Sequence, residues 1–143
     1  MKYYQGIYKP VYPEKWITNG NPVIYRSGLE KKIFSFLEAS PSVIEIASEE
    51  VKIPYVKPQT NRWHTYFVDL YIKVKDKNGD IKKYLIEIKP DAFIRPPANP
   101  KRKTKSYLKK VDDWIVNQAK WKFAEKFCEK HDMGFKIITD KMI

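Results

Sequence analysis

Two stretches, Tyr66–Lys75 and Ile81–Lys89, alternate apolar and polar residues on either side of Asp76-Lys77-Asn78-Gly79-Asp80, and this constrains the fold more than any other feature. Such alternation marks half-buried strands, and a short connection containing Asn-Gly makes the pair a hairpin. Side chains alternate faces along a strand, so the length of the turn decides which residues meet. A two-residue Asn78-Gly79 turn would set Asp69 opposite Ile88 and leave Glu87 on the other face. A three-residue loop, Lys77-Asn78-Gly79 with Gly79 left-handed, sets Asp69 directly opposite Glu87. This second register also gathers Val68, Leu70, Ile72 and Val74 opposite Ile88, Ile86, Tyr84 and Lys82 as a core face. It is preferred for that reason.

The preferred register places two carboxylates side by side, with Lys89 two residues along the same face. Facing carboxylates repel, and the cost is removed when a cation lies between them. Oxygen donors suit a hard cation, and Mg²⁺ commonly uses one or two protein carboxylates together with substrate phosphate and water. Lys89 would then orient or deprotonate an attacking water, or hold the phosphate. A solvated strand face with an ordinary Glu87–Lys89 pairing is the competing reading. The acid on the adjoining strand, the apolar flank Tyr84-Leu85-Ile86 and the exit into a basic loop favour catalysis.

Around the hairpin the elements are readable. Residues 1–24 hold Pro10, Pro13, Pro22 and Asn19-Gly20-Asn21, which read as an irregular arm. Its aromatics Tyr3, Tyr4, Tyr8, Tyr12 and Trp16 would pack onto the domain or a partner. Leu29, Ile33, Phe36 and Leu37 recur at helical spacing and predict a helix over Gly28–Ala39, bounded by Pro41. A strand is expected at Glu50–Val56, edge-placed or bulged because of Pro54. A long amphipathic helix is expected near Ser106–Lys130, with Leu108, Val111, Ile115, Ala119 and Phe127 as its stripe and Gly134 at its C-terminal cap. A last strand covers Phe135–Thr139. The predicted order is α-β-β-β-α-β, an α/β (α+β) domain over residues 25–143.

With 143 residues the chain is one domain's worth, and 43% apolar residues with 15% aromatics is a globular composition. The single cysteine, Cys128, cannot make an internal disulfide and reads as a small core residue. No apolar run reaches the ~20 residues of a membrane span, and no targeting segment is visible. A soluble, cytoplasmic protein is expected. Lys and Arg total 28 against 17 Asp and Glu, a net charge of +11, which points to a polyanion such as DNA; an acidic protein surface is the alternative. From Arg95 to Lys110 the chain carries Arg95, Lys101, Arg102, Lys103, Lys105, Lys109 and Lys110 with no acid. Held extended by Pro96, Pro97 and Pro100, this segment reads as a phosphate clamp, against the alternative of a solvated loop. His64 reads as a surface residue or phosphate contact, and two histidines do not make a zinc site.

Asp69 followed after seventeen residues by Glu87-Ile88-Lys89, within these elements, resembles the PD-(D/E)XK nuclease superfamily, although Val68 stands where its name has proline. More narrowly the chain is similar to the head completion nucleases of T4-type tailed phages, and secondarily to TnsA-like transposition endonucleases. The residues that carry this are Tyr25-Arg26-Ser27 with Leu29-Glu30, Ile53-Pro54-Tyr55, Tyr66-Phe67 with Asp69, Ile86-Glu87-Ile88-Lys89-Pro90, and Val116-Asn117 with Lys120-Trp121-Lys122. The resemblance implies a restriction-endonuclease-like core with a central mixed sheet flanked by helices. It implies a catalytic set of Glu30, Asp69, Glu87 and Lys89, with metal held at Asp69, Glu87 and Ile88. Mg²⁺ is the expected ion, with Mn²⁺ as a substitute. It also adds Asn117 and Lys120 to the DNA-binding candidates, with Trp121 packed beneath. Glu30 has a competing local role, because Ser27-Gly28-Leu29-Glu30 is a capping box.

The expected activity is hydrolysis of DNA phosphodiester bonds while a packaged phage head is finished. The expected setting is the cytoplasm of an infected bacterial host or the virion head and neck, with portal or neck proteins as partners through the N-terminal arm and no membrane. The alternatives are a neck or portal assembly protein that keeps only the nuclease fold, and a TnsA-like transposition endonuclease.

Overall fold

The computed structural model describes residues 5–143, so Tyr3 and Tyr4 of the expected arm lie outside the described residues. Among the described residues two α-helices and eight strands are present, besides three short 3-10 turns: β1 (Gly6–Ile7), β2 (Ile24–Tyr25), α1 (Gly28–Ala39), β3 (Val43–Ser48), β4 (Lys52–Lys57), β5 (Arg62–Phe67), β6 (Leu70–Lys75), β7 (Ile81–Ile88), α2 (Lys105–Lys130) and β8 (Gly134–Ile138). The central sheet runs β3-β6-β7-β8, antiparallel except for the parallel β7–β8 pair. Strand β8 is parallel because α2 carries the chain back across the sheet between the two.

The hairpin register is the one the three-residue loop dictates. Leu70 faces Ile86 and Lys75 faces Ile81. The loop closes through the Asp76 N–H on the Asp80 carbonyl at 2.9 Å, and Gly79 takes φ +85°. A left-handed φ favours glycine because a Cβ is crowded there.

The sheet separates two cores. On one side Ile33, Phe34 and Leu37 of α1 pack on Ile46, Leu70, Ile72, Ile86 and Ile88, and burying Phe34 completely contributes about 2–3 kcal/mol. The N-terminal arm joins this core: Tyr8 and Trp16 stack against Phe34 at centroid distances of 5.6 Å each. The buried Glu38 carboxylate accepts from the Tyr8 hydroxyl and from the Tyr12 N–H at 2.6 Å. On the other side Trp121, Ala124 and Cys128 of α2 pack on Leu85, Tyr55 and Tyr66, so Cys128 is a core residue and burial raises its thiol pKa to about 11.

Four expectations are corrected. The α-β-β-β-α-β order holds for the sheet-forming elements, but its first strand is Val43–Ser48, not Glu50–Val56. A register shift between Val43 and Glu45 breaks the period-2 pattern there. The expected strand exists as β4 and pairs only with β5, forming an inserted hairpin in which Pro54 needs no second neighbour. Tyr66–Lys75 is two strands, β5 and β6, that break at Val68-Asp69 and serve different sheets. The buried stripe of α2 runs through Trp121, Ala124 and Cys128, whereas Leu108 and Ile115 are exposed, because only the C-terminal half of α2 crosses the sheet. Finally, α2 is capped by His131 with Asp132 left-handed at φ 54°, and Gly134 starts β8 instead.

Candidate active site

Strand β7 carries Glu87 at its end, and the continued register places Asp69 opposite it at the break between β5 and β6. Two main-chain devices fix Asp69. Its Oδ2 accepts the Ile88 N–H at 2.7 Å, and its own carbonyl accepts the Glu49 N–H at 3.1 Å. Glu87 is held by the buried Tyr66 hydroxyl, which donates to Oε2. Lys89 Nζ stands 3.8 Å from Glu87 Oε1 and is about one-third exposed. The two carboxylates and the amine therefore share one place, at the edge where the sheet meets solvent.

Electrostatics there are adverse in the metal-free protein. Burial, followed by the Glu87 charge, raises the Asp69 pKa. Burial also raises that of Glu87, against the Tyr66 hydrogen bond, the charges of Lys89 and Lys120, and a hydrogen bond with Asp69. Glu30, on the first turn of α1, is pushed up to about 7 by burial and then by the Asp69 charge, so it reaches the same field. Its N–H caps on Ser27 Oγ at 3.1 Å while its carboxylate takes the Arg26 backbone N–H. The cap and the site thus share one residue. Glu49, left-handed at φ 55° and ion-paired with Arg26, adds negative charge to both Glu30 and Asp69.

This donor set fits a hard divalent ion. Two buried carboxylates stand together with Lys89 and Lys120 offsetting only part of the cost of burying them, and both carboxylates offer oxygen. Among the described residues no group of three or more His, Cys, Asp or Glu is placed to hold a metal ion, so the candidate protein ligands are the two carboxylates alone. Such an incomplete protein ligand set leaves positions for water and phosphate, as Mg²⁺ requires. Ile88, the third expected metal contact, lies between Glu87 and Lys89 on the chain, is buried, and gives its N–H to Asp69.

A cleft of about 1170 Å³ opens beside the site. Lys89, Arg95, Arg102, Lys110, Asn117 and Lys120 line it, so six of the residues singled out in the sequence come together. Lys120 Nζ stands over the Tyr66 and Tyr55 rings at 5.6 and 5.8 Å, and its pKa is lowered first by burial. Arg95 is tied to Asp91 at 2.6 Å, which anchors the loop; Asp91 is also paired with Lys141 at 3.1 Å, and these cations lower its pKa. Lys101, Lys103 and Lys105 are exposed and lie outside the cleft wall, with Lys103 bonded to Asn99 and set over the Tyr107 ring. His64 is exposed beside Tyr55, its ring centroid 6.0 Å away. Trp121 is buried beneath α2 as expected.

Sequence reasoning missed Tyr66 as a partner of Glu87. Strict alternation would put Tyr66 and Asp69 on opposite faces, and only the strand break at Val68 lets both reach Glu87. It also missed Lys57 and the rings Phe93, Tyr107 and Trp114 in the cleft wall.

Residues 40–140 match the family described as TnsA-like endonuclease N terminal. The chain is 33% identical over 141 residues to the head completion nuclease of Enterobacteria phage T4, covering 96% of this chain and 91% of that protein. It is also 33% identical over 129 residues to endonuclease I of Escherichia phage T7, covering 83% of this chain and 74% of that protein.

Proposed function

The chain belongs to the TnsA-like endonuclease N-terminal family, and from that membership we propose that it is a metal-dependent DNA endonuclease with Asp69, Glu87 and Lys89 at its centre. One observation carries the site assignment: Asp69 and Glu87 are held in place by dedicated main-chain and phenol hydrogen bonds although burial opposes the ionisation of both and the Glu87 charge further opposes that of Asp69. Buried carboxylates with raised pKa values beside a cleft support a functional-site reading.

Asp69 and Glu87 hold Mg²⁺, or Mn²⁺ in its place, and Glu30 supports the site from α1. The bound ion supplies charge neutralisation at the phosphate and acidifies water. Lys89 orients the attacking water or the scissile phosphate, and Tyr66 keeps Glu87 aimed. Arg102, Asn117 and Lys120 receive the DNA backbone from the cleft side. The net charge of +11 suits that partner, because each phosphate contact releases condensed counterions.

The near full-length similarity to the T4 protein supports a place in phage head completion, in the infected host or the virion neck, with portal or neck proteins as partners. Among the described residues the arm exposes Ile7, Val11, Tyr12, Ile17 and Ile24 for such a partner, since Tyr8 and Trp16 serve the protein's own core. Nicking of supercoiled plasmid in Mg²⁺ tests the chemistry. Wild type is expected to cut, and Asp69→Ala, Glu87→Ala and Lys89→Ala to fail. Three variants that cut as fast as wild type would overturn the assignment.

A further inference from the structure

The cleft beside the carboxylates is walled by aromatic rings as well as by cations. Phe93 is about half exposed in the loop after β7, and Tyr107 and Trp114 follow on the N-terminal half of α2. Between them stand the prolines Pro96, Pro97 and Pro100, and the wall carries six Lys or Arg side chains against one acid, Asp113. Resting on the nuclease reading, we infer that this cleft takes an unpaired stretch of the DNA substrate, with bases stacked on Phe93 and Trp114 and phosphates led toward Lys120 and Lys89.

The physical argument is one of access. In duplex DNA the base faces are stacked inside the helix and only groove edges reach a protein. Short of wedging between base steps or capping a duplex end, a ring in a cleft wall stacks on a base that has left the helix. Rings interleaved with cations along a groove are the general solution for single strands, because every base has a π-face and every nucleotide a charge. The volume of about 1170 Å³ exceeds the ~300–1,000 Å³ of most small-molecule sites, which suits a run of strand better than a free nucleotide.

The cleft is continuous with the chemistry. Lys89 and Lys120 line it, and both act on the Glu87 charge, so a strand lying along the rings brings one phosphate to the carboxylate pair. Lys103 Nζ rests 4.8 Å from the Tyr107 ring centroid, which leaves Phe93 and Trp114 as the platforms for bases. Cleavage is therefore expected beside an unpaired segment, such as an overhang, a gap or a frayed end.

The test is binding by the full chain in EDTA, where no cutting occurs. Fluorescence anisotropy would compare a labelled oligothymidylate, an abasic strand of the same length and charge, and a blunt duplex. Wild type is expected to bind the thymidine strand roughly tenfold more tightly than the abasic one. Phe93→Ala and Trp114→Ala should erase that difference while changing blunt-duplex affinity by less than about twofold, and Trp114→Phe should restore it. Equal affinity of wild type for thymidine and abasic strands would overturn the inference. So would equal losses by the ring variants on all three probes, which would make the rings mere supports of the loop. Melting curves of each variant confirm folding. The nuclease reading is judged separately, by Mg²⁺-dependent cutting in wild type and its loss in Asp69→Ala.

Discussion

Asp69 and Ile88 are joined across the hairpin by a hydrogen bond of 2.7 Å from the Ile88 N–H to Asp69 Oδ2. The bond aims one carboxylate oxygen at the backbone and frees the other for the site beside Glu87. It also makes the position sensitive to which atom is lost, so charge and acceptor can be separated by mutation.

Asp69→Asn keeps an acceptor for Ile88 and removes a charge that burial and Glu87 disfavour. In EDTA this variant should melt at or above wild type. Asp69→Ala leaves the Ile88 N–H unpaired, a cost of about 1–3 kcal/mol, and should melt below Asp69→Asn. Both should lose cleavage and the stabilisation that Mg²⁺ gives wild type by binding only the folded state. Thermal melts with and without Mg²⁺ check all of this, and an Ala variant as stable as the Asn variant would remove the hydrogen bond from the account.

Glu30 makes a prediction about pH. Its folded pKa, about 7, lies above the ordinary glutamate value, so between roughly pH 4 and 7 the folded state binds the proton that the unfolded state has released. Its contribution to stability is complete below the unfolded pKa and is lost as pH rises through about 7. Asp69 and Glu87 shift in the same direction. Metal-free wild type should therefore lose stability from about pH 4.5 toward neutrality, net of effects elsewhere in the protein. Glu30→Gln should flatten that decline, which denaturant titrations across pH will show. An unchanged slope would mean that Glu30 ionises freely.

Lys120 is desolvated over two tyrosine rings and lowers the Glu87 pKa. Lys120→Met keeps the aliphatic stem and removes the charge, so Glu87 should hold its proton to higher pH. The acid limb of the pH–rate profile should move to higher pH, with activity at pH 7 reduced roughly tenfold through the lost charge contact to phosphate. A uniform loss at every pH would restrict Lys120 to phosphate binding.

The legible parts of the sequence were those governed by local rules. Gly79 specified a left-handed loop residue, the loop specified the register, and the register put Asp69 against Glu87. Ser27 and Pro41 bracketed α1 for similar reasons, through a side-chain cap and a missing donor. What escaped depended on distant parts of the chain. Whether Lys52–Lys57 joins the central sheet is decided by where β3 lies, and β3 was hidden by its own register shift. The apolar residues Leu108 and Ile115 looked like core because periodicity cannot tell which half of a helix the sheet will cover. Tyr66 escaped because a two-residue strand break redirects it, and nothing local announces the break.

Gly134 shows the same limit and yields a stability prediction. It follows α2 closely enough to resemble a cap, yet Asp132 has the left-handed backbone and Gly134 lies against the Tyr84 ring. A Cβ built there would sit 2.7 Å from the ring edge. Tyr84 is paired with Gly134 in the β7–β8 register, so neither strand can retreat without disturbing the parallel ladder. Gly134→Ala should cost about 1–3 kcal/mol by overpacking, measured by urea denaturation. Tyr84→Leu in the same chain should recover part of it, because the clash is with the ring. The clash is at the start of β8, whereas the Lys89 N–H bonds to Ile138 at its far end, 3.1 Å away. Cleavage at low temperature should therefore stay within about twofold of wild type. A larger loss would mean that the parallel pair transmits the strain to Glu87 and Lys89, making β8 part of what positions the site.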